Sequence, residues 1–314
     1  SSGTRREEKL YKLGQLDAIY TLRRGLQQMP PQAGMEWLIK RIASTVLLWL
    51  IVFAVVWKFR TTGAVVLVGL ISMLTLREFY HLLAGAGVAP FHRLGMTIGA
   101  LITVSPWLDR RLGVPVSEHT LALAVIVFSI RILSDREPHK RVEALAGTLF
   151  GLVFVALMLQ YLVRILTPLP ADDITANGRL LLCLWLVAVA KFCDVGALLA
   201  GLAFGRHQLA PQISPKKTWE GAVGGVLMSM GVGALIAWLG RGQLPSHLTP
   251  LMGALIAAPI ALVAIVSDLV ESIIKRHAAL KDSGGAIPGI GGVFDLSDSL
   301  LLAAPLGYFL FALP

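Results

Sequence analysis

Charge is scarce in this chain: Asp, Glu, Lys and Arg make up 15% of its 314 residues, where a soluble domain would carry roughly a quarter. Cysteine is scarcer still. Cys183 and Cys193 both lie in one apolar run, without the spacing of a zinc site and unable to reach each other along one helix, so they read as packing residues. The Gly-x4-Gly-Lys-Ser/Thr pattern of a P-loop is missing, which removes the commonest nucleotide cradle. No internal repeat is evident, which counts against a transporter built from duplicated halves. The first forty residues hold no apolar stretch of signal-peptide type, so no cleaved signal is expected.

What fills the sequence instead is apolar: 55% of it is hydrophobic, in runs separated by short charged stretches. A run of about 20 residues crosses the roughly 30 Å hydrocarbon core as a helix, and lipid leaves the backbone no other way to satisfy its polar groups. The runs predict an all-α polytopic membrane protein of about nine transmembrane helices, near 42–57, 62–84, 94–108, 117–133, 142–166, 179–204, 218–240, 249–274 and 296–313. Residues 1–41 read as a basic N-terminal extension on the cytoplasmic side, and 42–314 as one transmembrane domain. A net charge of +9 could suggest nucleic acid, but the basic residues sit at span ends. No nucleic-acid partner is expected. Placing the N-terminus in the cytoplasm puts most of the 28 Lys and Arg inside, and nine spans then leave Pro314 outside.

Three places in this membrane chain carry chemistry. Asp194 lies inside the sixth span, with Lys191 three residues before it as a potential ion-pair partner on the same face. A charge there costs roughly 2.5–3.5 kcal/mol on the lenient insertion scale and ordinarily faces a polar cavity or a partner. The loop that follows runs through Ser214, Lys216, Lys217, Thr218 and Trp219 to the start of the next span. Lysines at a helix N-terminus suit a phosphate, although an interfacial anchor would look the same. The third place is residues 267–299, SDLVESIIKRHAALKDSGGAIPGIGGVFDLSDS. At helical spacing Asp268, Glu271, Ser272 and Lys275 share one face; five glycines follow; Asp295 and Asp298 then open the last span. Acids beside a glycine-rich loop suit Mg²⁺, which prefers carboxylates and bridges to substrate phosphates, while lysine and arginine hold the remaining phosphate charge.

At these residues the sequence resembles the phosphatidate cytidylyltransferases, or CDP-diacylglycerol synthases. Their signature is Ser-x2-Lys-Arg-x4-Lys-Asp, followed by Pro-Gly-His-Gly-Gly-x2-Asp-Arg-x-Asp. The chain matches it at Ser272, Lys275, Arg276, Lys281, Asp282, Pro288, Gly289, Gly291, Gly292, Asp295 and Asp298. The Asp194–Gly221 stretch resembles a second family region, so the matching motifs fall within 188–225 and 267–299. Three positions depart: Ile290 stands for the signature histidine, Leu296 for its arginine and Leu198 for a tyrosine.

The resemblance implies transfer of CMP from CTP to phosphatidate, giving CDP-diacylglycerol and pyrophosphate in the membrane, with the site on the cytoplasmic side of a bacterial inner membrane. It implies catalytic roles for Asp268, Asp295, Lys275 and Asp298, and metal binding by Asp268 and Asp295, with Mg²⁺ as cofactor and room for a second cation. Substrate binding falls to Asp194, Ser214, Lys216, Lys217, Thr218, Ser272, Arg276, Lys281, Asp282, Gly291 and Gly292. The implied partners are CTP, phosphatidate or a related lipid phosphate, and the bilayer; a homodimer is left open. The departures keep three alternatives in view: a CTP-dependent enzyme acting on another lipid phosphate or a polyprenol, an inactive membrane scaffold, and a transporter using Asp194 and Asp268.

Overall fold

In the computed structural model, which describes residues 31–133, 140–167, 174–278 and 291–311, the apolar runs form eight helices. They are α1 (Pro31–Gly85), α2 (His92–Leu112), α3 (Val116–Leu133), α4 (Arg141–Leu166), α5 (Ala176–Phe204), α6 (Trp219–Leu239), α7 (Pro250–His277) and α8 (Val293–Phe311). Seven of them, all but α2, are long and apolar enough to cross a membrane. Their outward surface carries Trp57, Leu70, Leu123, Leu198, Leu235 and Phe309, all exposed, as lipid requires and water would not tolerate. Inside lie Leu76, Phe79, Phe128, Trp185 and Phe294, each fully buried.

The first two predicted spans are a single element, α1, broken at Arg60, whose backbone is left-handed at φ 50°. The break is sharp. A Cβ placed on Gly63 would lie 2.6 Å from the Val55 carbonyl oxygen, eight residues back, a separation of about 12 Å along a straight helix. The chain therefore doubles back at Arg60, as two spans require, and only glycine lets the arms meet at position 63. The third predicted span is helical as α2, but Pro106, Asp109, Arg110 and Arg111 dilute its apolar character.

Three helices start on a threonine, which occupies the N-cap and accepts a backbone N–H: Thr175 from Gly178, Thr218 from Gly221 and Thr249 from Met252. Helix α4 contains a π-helical stretch, Leu152–Leu157, in the core. Its wider turn coincides with an interhelical bond, the Thr103 hydroxyl donating to the Ala156 carbonyl at 3.2 Å. In the C-terminal half α5, α6 and α7 pack closely. A Cβ at Gly225 would fall 2.7 Å from the Cys193 carbonyl oxygen, so glycine is what permits that approach. The all-helical expectation holds, with one small addition. Between α5 and α6, β1 (Gln208–Ala210) and β2 (Ser214–Thr218) form an antiparallel hairpin with Gln208 opposite Thr218 and Ala210 opposite Ser214.

Candidate active site

The last turns of α7 and the first of α8 bring three carboxylates together. One oxygen each from Asp268, Glu271 and Asp298 lies within 4.8 Å of the others. Asp268 and Glu271 share a face of α7 because they are three residues apart, and Asp298 enters from the first turns of α8. At that separation each pair of ionised carboxylates repels by about 3 kcal/mol, taking an effective dielectric of about 20. Cations answer the repulsion. Lys217 of β2 ion-pairs with Asp268. Lys275 lies 3.0 Å from Glu271 and 3.0 Å from Asp295, and Lys191 of α5 lies 3.1 Å from Asp298.

Beside the cluster opens a cleft of about 270 Å³, lined by Asp194, Lys216, Lys217, Thr218 and Asp268, with Leu198, Leu209 and Ile265 on its apolar wall. The hairpin brings the lysines there. Glu220 fastens it at the start of α6, accepting the backbone N–H groups of Arg206 and His207 at 3.1 and 3.2 Å and contacting the His207 ring at 2.6 Å. The lining thus combines lysines, carboxylates and hydrocarbon. That combination suits a molecule with a phosphate head and an apolar body.

Most of the sequence-predicted residues converge here. Asp194, Lys216, Lys217, Thr218 and Asp268 line the cleft, and Lys275, Asp295 and Asp298 surround the acid cluster. Thr218 has its hydroxyl oxygen committed to capping α6, and Ser214 is half-buried at the start of β2. Ser272 is half-buried and Arg276 exposed toward the end of α7. Gly291 adopts φ 120°, a conformation that favours glycine, and Gly292 donates its N–H to Asp295 at 3.3 Å. Lys281, Asp282 and Ile290 lie outside the described residues.

The arrangement of the acids differs from the expected pairing of Asp268 with Asp295. Asp295 contacts Lys275, the Gly292 N–H and Glu271, while Glu271 and Asp298 are the acids grouped with Asp268. A residue in α1 joins them from far away in sequence. Glu78, 6% exposed, accepts the Phe294 backbone N–H at 2.8 Å, and the Thr75 and Ser297 hydroxyls lie 3.0 Å apart beside it. The two contacts pin the first turn of α8, and so the acids it carries, to the N-terminal half. A signal for Glu78 exists in the sequence: it is the sole acid within the apolar run 62–84.

Comparison with known proteins shows the family. The profile of the cytidylyltransferase family matches residues 39–313. The phosphatidate cytidylyltransferase of Synechocystis sp. is 31% identical over 265 residues, covering 77% of this chain and 86% of the relative. That of Mycobacterium leprae is 30% identical over 226 residues, 68% of each. That of Thermotoga maritima is 32% identical over 193 residues, 61% of this chain and 67% of the relative. These alignments are too long to cover the C-terminal motifs alone, so the similarity reaches into the N-terminal half.

Proposed function

The chain belongs to the cytidylyltransferase family, and from that premise we propose that it transfers CMP from CTP to phosphatidate, yielding CDP-diacylglycerol and pyrophosphate. The observation that carries the reading is the juxtaposition of three carboxylates within 4.8 Å and a lysine-lined cleft with an apolar wall. Substrate and site match in charge and in polarity.

In the reaction a phosphatidate phosphate oxygen forms a bond to the α-phosphorus of CTP as the bond from that phosphorus to the bridging oxygen of pyrophosphate breaks. The nucleophile is already ionised, so no residue has to remove a proton, and the chain's task is positioning and charge neutralisation. Lys216 and Lys217 grip phosphate from the hairpin, and Lys275 with Arg276 does so from α7. Leu198, Leu209 and Ile265 receive the first part of the acyl body.

The family requires a divalent cation in general, and a cluster of three carboxylates fits a hard ion that takes oxygen ligands. We assign Mg²⁺ to Asp268, Glu271 and Asp298, with Asp295 holding Lys275 against the cluster. When bound, such an ion neutralises charge developing on the transferred group and its leaving pyrophosphate. The seven apolar helices make this an integral membrane protein. The distribution of Lys and Arg supports a cytoplasmic site, where CTP is. The purified chain, incubated with radiolabelled CTP, phosphatidate and Mg²⁺, is expected to produce a labelled lipid. Labelling only with a polyprenyl phosphate acceptor would move the substrate, and no labelling with either would remove the activity.

A further inference from the structure

Lys191 matches no quoted signature position, yet it stands within a membrane helix at the site. It lies well inside α5, between Ala190 and Phe192, where an ammonium group is costly without a partner. It has two. Its Nζ is 3.1 Å from Asp298 and 3.7 Å from Asp194, and its side chain is about one-third exposed. Asp298 belongs to the carboxylate cluster and Asp194 to the cleft wall, so this one ammonium spans both parts of the site.

Each carboxylate of the cluster meets a lysine, from three different elements: Lys217 of β2 for Asp268, Lys275 of α7 for Glu271 and Lys191 of α5 for Asp298. Two further carboxylates share these lysines, Asp295 on Lys275 and Asp194 on Lys191, so five acids meet three lysines, a deficit that a divalent cation can fill. Resting on the cytidylyl-transfer reading above, we propose that Lys191 is a positioning residue, an internal counter-ion that holds Asp298 until the cation arrives and then serves Asp194 and the nucleotide at the cleft wall. Its ammonium and a cation held by the cluster would draw on the same carboxylate. On displacement it keeps Asp194 as a partner, at the cleft wall where the triphosphate enters.

The inference separates charge from packing in a way that can be measured without turnover. Lys191→Met keeps the length of the stem, removes the charge and suits a membrane helix; Lys191→Arg keeps the charge. Mn²⁺ binding to the purified full chain without nucleotide, followed by the electron paramagnetic resonance of free Mn²⁺, reads the competition directly. Lys191→Met is expected to bind Mn²⁺ about fivefold more tightly than wild type, because one close positive charge is gone. Its KM for CTP should rise by a similar factor, and Lys191→Arg should match wild type in both. Should the Met variant fail to purify as a single species, Lys191→Gln, which retains a donor for Asp298, carries the same expectation. Equal or weaker Mn²⁺ binding in the uncharged variant would overturn the proposal, as would equal tightening in Lys191→Arg. Because this readout uses neither CTP nor lipid, its failure is distinct from the absence of a labelled lipid product in wild type.

Discussion

The two halves of this membrane bundle bury polar groups in different ways. In α1 to α4 the buried polar contacts are mainly neutral and local to helix packing: Ser72 with Thr103 at 2.7 Å, Gln160 with Ser105 at 2.8 Å, and the Tyr80 hydroxyl on the Thr148 carbonyl at 3.0 Å. In α5 to α8 and the hairpin such neutral contacts recur, as where Trp185 donates to the Gly233 carbonyl at 2.8 Å, but ion pairs are added to them and converge on one end of the bundle. Neutral hydrogen bonds in lipid fasten helices at small individual gain, whereas charges there are tolerated where a ligand or a counter-ion uses them. Glu78 is a charged residue of the first half that reaches out of that half to the backbone of α8.

The largest effects should come from the charged half. Asp268→Asn and Asp298→Asn each keep shape and remove an anionic oxygen, so transfer activity should fall at least about a hundredfold with expression unchanged. Near-normal labelled-lipid yield in both, at limiting Mg²⁺, would dissolve the contrast between the halves. Next is Lys216→Met, which removes one exposed cation from the cleft. Loss of a charge-assisted hydrogen bond costs roughly 1.5–3 kcal/mol, so KM for CTP should rise about ten- to a hundredfold with kcat little changed. A fall in kcat at constant KM would instead put Lys216 at the reacting phosphorus.

Glu78 sharpens the comparison because it belongs to one half by sequence and to the other by contact. Glu78→Gln retains an oxygen for the Phe294 N–H and should keep activity within about tenfold, while Glu78→Leu leaves that N–H without its acceptor and should lose more. Equal rates for the two variants would mean that the bond does not position α8. The smallest effect belongs to the packing contacts. Ser72→Ala should lower stability by about 0.5–1 kcal/mol, read as a modest fall in detergent melting temperature, and leave KM for CTP unaltered.

Several of these features could be read from residues alone. The apolar runs gave the helices because a membrane admits no other continuous backbone over such lengths, and the spacing of Asp268, Glu271 and Lys275 gave their common face. The hairpin escaped notice because its strands are three and five residues long and carry charge rather than alternation. The acid that would partner Asp268 was also out of reach. Asp295 and Asp298 are equally near in sequence, and only the way α8 docks on α7 and α1 groups Asp298 with Asp268 and sets Asp295 against Glu271 and Lys275.

Local chemistry and periodicity therefore determined on their own that the chain is a helical membrane protein with acids and lysines at the ends of its C-terminal spans. Tertiary structure alone decided which acids face one another, which lysines meet them, and that Glu78 holds the Phe294 N–H at the start of α8 from 216 residues away. The reason is physical. Helix periodicity fixes which face a side chain takes on its own helix, but the partner across the gap depends on how separate helices rotate and slide as they pack. Close glycine contacts and a few interhelical hydrogen bonds set that arrangement, and no single stretch of sequence contains it.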